Sequence, residues 1–70
     1  MNIKKHLTEM ALEHYYHIEG LEDFEFDRFN NECAYFRAFT AQGWMEFEFT
    51  WFFDDEGDIE LLPIRHYLLK

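Results

Sequence analysis

The stretch that decides the fold is Glu32–Phe53, ECAYFRAFTAQGWMEFEFTWFF. Successive residues of a strand point to opposite sides, so its ring side chains sort into two sets. Phe47, Phe49, Trp51 and Phe53 fall on one side of the second half, and Trp44 and Phe52 on the other, where Tyr35 and Phe39 of the first half join them. Gln42 and Gly43 read as a two-residue turn joining strands Glu32–Thr40 and Trp44–Phe53 into an antiparallel hairpin. In that register Ala38 faces Phe47, Ala34 faces Trp51 and Arg37 faces Glu48, so rings meet small residues and charge meets its opposite. Gln is a poor residue for a turn position of positive φ, and a longer loop would shift this pairing.

Working outward, Phe24 and Phe26 alternate with Asp23, Glu25 and Asp27, which predicts another strand before the turn formers Asn30 and Asn31. Downstream, Asp54, Asp55, Glu56, Gly57 and Asp58 form an acidic turn leading to a short strand from Ile59 to Leu62 that Pro63 ends. Ile64, Tyr67 and Leu68 are spaced i, i+3, i+4 behind Pro63, so a short C-terminal helix is expected, with an extended strand the alternative. Upstream, Ile3, Leu7, Met10, Ala11, Tyr15 and Ile18 share one arc of a helix that Gly20 stops, while His6, Glu9, Glu13 and His17 occupy the opposite arc. The expectation is an α+β fold of one domain, residues 1–70: an N-terminal amphipathic helix on one face of a three- or four-stranded antiparallel sheet. One helix covers one face, so something should cover the face carrying Tyr35, Phe39, Trp44 and Phe52.

Fifteen Asp and Glu oppose six Lys and Arg, a formal net charge of -9. Such a charge opposes direct binding of nucleic acid or of an anionic membrane, and favours a basic partner or solubility alone. Aromatic residues make up 21% of the chain and hydrophobic ones 49%, which sets it apart from disordered sequences. The size scaling predicts roughly 4,700 Å² of folded surface, hence a small core. Cys33 is the single cysteine, so no internal disulfide forms, and a reducing, cytoplasmic setting is expected. No apolar run approaches the ~20 residues of a membrane span.

The residues offer little to catalysis, and no enzymatic role is expected. Serine is absent, and Cys33 lies in a strand without a basic cluster nearby to activate it. The glycines at 20, 43 and 57 serve turns and a helix end, so no phosphate-cradling loop can be assembled and no cofactor is expected. His14 and His17, with His6 on the same helix, have spacing that metals use, but no second cluster completes a ligand set. The plainer reading is a packed His14 and a solvated His17 beside Glu13. Placing Gly57 sixth in a calcium loop puts Phe52 where the first carboxylate must stand, so that motif fails and no metal is expected. With so many acids some carboxylates will lie close together, and nothing marks a catalytic pair.

The candidate site is therefore a partner surface. Asp23, Glu25 and Asp27, about 6.7 Å apart along a strand, would form a straight row with nearly the spacing of nucleic-acid phosphates, roughly 7 Å. Glu22 adjoins it, Glu46 and Glu48 project from the third strand, and Asp54, Asp55, Glu56, Asp58 and Glu60 form a second cluster. Tyr35, Phe39, Trp44 and Phe52 are the candidate apolar anchors. In size, acidity and helix-plus-sheet plan the chain resembles the small phage-encoded inhibitors of host nucleic-acid enzymes or defence complexes, DNA mimics and anti-CRISPR proteins among them. That likeness is compositional and covers no motif, so no residue role carries over. It implies an acidic module that blocks a basic nucleic-acid-binding protein. The alternative is a homodimer or structural subunit joined through the aromatic face, with the acids serving solubility.

Overall fold

A computed structural model describes residues 3–15 and 17–69. Helix α1 (Ile3–Tyr15) is followed by strands β1 (Glu22–Phe29), β2 (Cys33–Thr40), β3 (Gly43–Phe53) and β4 (Ile59–Leu68). The strands pair antiparallel in the order β1-β2-β3-β4, and the helix lies on one face. The expected α+β architecture is thus what forms. None of the described helices is long and apolar enough to cross a membrane.

The helix buries Leu7, Ala11 and Tyr15, successive i+4 positions of the apolar arc. The described helix ends at Tyr15 and does not include Ile18. The Ile18 amide still donates to Tyr15 O at 2.9 Å, closing one further turn. Gly20 then reverses the chain at φ 73°, where an added Cβ would sit 2.9 Å from the Ala41 amide nitrogen, so only glycine fits. Ala41 N also donates to Glu19 O at 3.4 Å, tying this connection to the β2–β3 hairpin.

The hairpin register differs from the expected one by two residues: Thr40 opposes Gly43, Ala38 opposes Met45, Phe36 opposes Phe47 and Ala34 opposes Phe49. Thr40 explains the shift, because its hydroxyl accepts from Gln42 N at 3.1 Å and donates to Gly43 O at 2.9 Å. The two-residue loop is therefore Ala41–Gln42, and Gly43, at φ 116°, is the first residue of β3. A slip of two keeps every side chain on its own face, which is why the core forms as anticipated. Phe36, Phe47 and Phe49 are fully buried, with Phe36 meeting Phe49 edge-on at 5.4 Å and Tyr15 of the helix meeting Phe47 at 4.7 Å.

The expected C-terminal helix does not form. Strand β4 continues through Pro63 to Leu68 and pairs with nearly the whole of β3. Two features permit this: β4 is an edge strand, where proline's missing donor disturbs only one side, and Pro63 sits beside the register shift opposite Glu48 and Phe49. Pairing the rest of β3 satisfies backbone groups that a helix would leave open. The turn before β4 is built as expected on Asp54, whose Oδ1 accepts from the amides of Glu56 at 2.8 Å and Asp58 at 3.0 Å.

The molecule measures 38 × 19 × 18 Å, and its 12.0 Å radius of gyration exceeds the roughly 11 Å typical of a chain this long. Elongation also accounts for its 5073 Å² of surface.

Candidate functional site: the uncovered face of the sheet

The register sends Glu22, Glu25 and Arg28 of β1, Tyr35, Arg37 and Phe39 of β2, Trp44, Glu46, Glu48 and Phe52 of β3, and Arg65 and Tyr67 of β4 to the face away from the helix. Its centre is ionic. Glu46, only 1% exposed, lies between Arg37 Nε at 3.3 Å and Arg28 Nη1 at 3.5 Å, and these two guanidiniums also hold Asp27 at 3.5 and 2.6 Å. Two residues along β3, Glu48 bonds Arg65 Nε through Oε1 and accepts from the Tyr35 hydroxyl through Oε2 at 3.2 Å. The Arg28 guanidinium stacks 4.1 Å over the Tyr35 ring, joining the halves of the cluster. No buried side-chain polar atom lacks a partner among the described residues.

The two glutamates have opposite electrostatics. Burial, and then the Asp27 carboxylate beside it, push the Glu46 carboxyl above the usual range against the pull of Arg37. The Arg65 hydrogen bond outweighs burial at Glu48 and holds its carboxyl below that range. Burial and the neighbouring Glu48 raise the phenol of Tyr35 and the thiol of Cys33, so this cysteine is no activated nucleophile.

Two sequence expectations change here. Glu46 and Glu48 are not projecting charges: both are buried beneath arginines and belong to the sheet's own neutral centre. The straight acidic row is also absent, because β1 bulges twice, between Glu22 and Glu25 and between Phe26 and Arg28. Asp23 stands at φ 52°, and Asp27 turns its carboxylate onto Arg28 and Arg37. Bulges are devices by which an edge strand avoids further pairing, and alternation alone does not reveal them.

Apart from Glu9, Glu13, Glu19 and Glu32, the remaining acids lie at the two ends. Glu22, Asp23 and Glu25 are exposed near the β2–β3 hairpin, while Asp55, Glu56 and Asp58 are exposed in the β3–β4 turn, with Asp54 and Glu60 half-buried there. The 11 residues of β3 place these clusters about 35 Å apart. The rings separate likewise: Phe39 and Trp44, each 42% exposed, meet edge-to-face at 5.5 Å beside the first cluster, and Phe52 pairs with Glu60 beside the second. Tyr35 is half-buried in the ionic centre.

On the helix side, an open apolar groove of about 1000 Å³ separates Ile3, Leu7 and Met10 of α1 from Phe29, Trp51 and Ile59 of the sheet. His14 touches Phe49 at 5.7 Å but is exposed rather than packed, as is His17, and His66 stacks on Phe47 at 5.8 Å. No cluster of three or more His, Cys, Asp or Glu suited to a metal occurs among the described residues. Sequence reasoning missed Arg28 and Arg65, and neither left a signal: alternation puts Arg28 on the side of Phe24 and Phe26 until the bulge before it turns it outward, and Arg65 joins the face only because β4 continues past Pro63. Comparisons with protein-family models, curated proteins and solved structures return no match.

Proposed function

We propose that this chain is an acidic protein-binding module that docks on the basic surface of a nucleic-acid-binding protein and competes with the nucleic acid for it. The observation that carries this reading is the partition of charge. All three arginines pair with Asp27, Glu46 and Glu48, so the eight carboxylates at the two ends (Glu22, Asp23, Glu25, Asp54, Asp55, Glu56, Asp58 and Glu60) hold most of the chain's net charge of -9. Density of charge, rather than a phosphate-like period, supplies the attraction, and the exposed rings Phe39 and Trp44 lie where an interface would bury its anchors. The test is to capture a partner from a lysate on the immobilised chain, purify it, and titrate it with the chain across a salt series, in the presence and absence of nucleic acid. Replacing Glu22, Asp23 and Glu25 together with Gln, Asn and Gln should weaken binding roughly tenfold or more and flatten the salt dependence. Unchanged affinity and slope, or simultaneous binding of nucleic acid, rejects the reading.

A second reading, a homodimer through the same face, draws on the exposure of Phe39, Trp44, Phe52, Leu62 and Tyr67. Full overlap of two 38 × 19 Å outlines covers about 720 Å² per copy, within the roughly 600–1,000 Å² per partner of a standard interface, so area alone permits it. It would, however, place two arrays of partly exposed arginines against each other. Sedimentation decides: a dimer intact at high salt and broken by Trp44→Glu establishes this second reading.

A further inference from the structure

Deepening the docking reading above, on which it rests, we propose that a small pocket at the hairpin end of the uncovered face receives one lysine or arginine side chain of the basic partner. The pocket, about 420 Å³, is lined by Glu25, Arg37, Trp44 and Leu69. The chain fixes its walls from three directions. Glu25 stands opposite Arg37 across β1 and β2, Trp44 opposite Phe39 across the hairpin, and the Leu69 amide donates to Trp44 O at 2.8 Å.

The lining matches a long cationic side chain part by part. Trp44 and Leu69 offer apolar surface to its methylene stem, and an indole ring attracts a cation. Glu25 offers a carboxylate to its head, with Glu22 next along the edge, opposite Phe39. Arg37 is the one adverse charge among the described lining residues, and its ion pairs with Glu46 and Asp27 at 3.3 and 3.5 Å already engage it. Counting Arg28 and Arg37 against Asp27 and Glu46 leaves this cluster neutral, so Glu22 and Glu25 set a negative sign at the mouth. An anionic side chain meets those carboxylates, and an apolar one leaves the Glu25 carboxylate desolvated without a partner.

Two tryptophans make the proposal directly readable. Trp44 lines the pocket, whereas Trp51 lies on the helix side toward the other end, its indole Nε1 donating to Asn30 O at 2.8 Å. The ¹⁵N-labelled chain is titrated with an octalysine peptide at near-physiological salt and its two indole resonances are followed; the control peptide is octalysine acetylated on every ε-amine. A saturable shift of the Trp44 indole alone is expected, absent with the acetylated peptide. It should weaken roughly fivefold or more in Glu25→Gln, and stay unchanged in the paired Asp55→Asn, Glu56→Gln variant at the far end. Octalysine binding that leaves the Trp44 indole in place overturns the pocket but not the docking reading. No octalysine binding at all overturns both. An equal response to the acetylated peptide, or equal weakening by the far-end variant, also overturns the pocket, showing an apolar site or undirected charge attraction instead.

Discussion

The two faces of the sheet exclude water by different means. On the helix side, α1 lies over a layer of phenylalanine rings, and Phe36, Phe47 and Phe49 lose all contact with solvent. On the other side none of the described elements covers the strands, yet Glu46 is 1% and Glu48 7% exposed. Arginine stems reaching across from β1, β2 and β4 make that lid. The contrast teaches that an uncovered sheet face is not thereby an unfinished one: its centre is closed by matched charge, and only its ends remain for a partner.

The largest expected effect belongs to the ring side. Phe47→Ala should lower stability by about 3–5 kcal/mol, measured by urea denaturation, whereas Trp44→Ala on the opposite face, which loses the edge-to-face contact with Phe39, should cost about 1 kcal/mol. Similar losses at both positions would erase the distinction.

Next in size is the removal of one member of the ionic lid. Arg65→Met strands Glu48 beneath the surface, so its loss of stability should fall between those of Phe47→Ala and Trp44→Ala and grow as Glu48 ionises. Adding Glu48→Gln to Arg65→Met should restore part of the loss. If the two changes are additive in a double-mutant cycle, the pair is not coupled.

Acid titration should separate the two glutamates by sign. Glu48, held below the usual range by Arg65, contributes stability above the ordinary carboxylate pKa of about 4.3 and loses it as pH falls through its lower folded value. Glu46, raised by burial and Asp27, behaves in reverse: its contribution is complete below the ordinary value and lost as pH rises through the folded one. Glu48→Gln should therefore flatten the acid limb of the stability profile, while Glu46→Gln should gain relative to the unaltered chain as pH rises through that window. Parallel profiles for the two variants would contradict the assignment.

The smallest effect is expected at the exposed end. Glu22→Gln together with Glu25→Gln should shift stability by no more than about 0.5 kcal/mol each, visible in the same urea series, while weakening octalysine binding. A large loss of stability there would make those carboxylates part of the fold.

Much of this division was legible in the chain. Alternation in Glu32–Phe53 separates the buried rings from the outer face, and spacing from Ile3 to Tyr15 identifies the covering helix. The register was not legible, because the Thr40 hydroxyl, rather than glycine preference, selects Ala41–Gln42 as the loop. Nor was the path of the last segment, where helical spacing of Ile64, Tyr67 and Leu68 loses to the unpaired half of β3. The site was misread most at Glu46 and Glu48, because outward alternation was equated with exposure. Only the cross-strand positions of Arg28, Arg37 and Arg65 show otherwise, and the bulges that set Arg28 and Asp27 leave no sequence mark.

The central claim, that the uncovered face neutralises its own centre, is tested most directly by following the side-chain carboxyl carbons of Glu46 and Glu48 by NMR across an acid titration. Midpoints on opposite sides of the ordinary glutamate value, Glu46 above and Glu48 below, are the expected result. Two midpoints together at the value of an exposed glutamate would show that the arginine lid does not form.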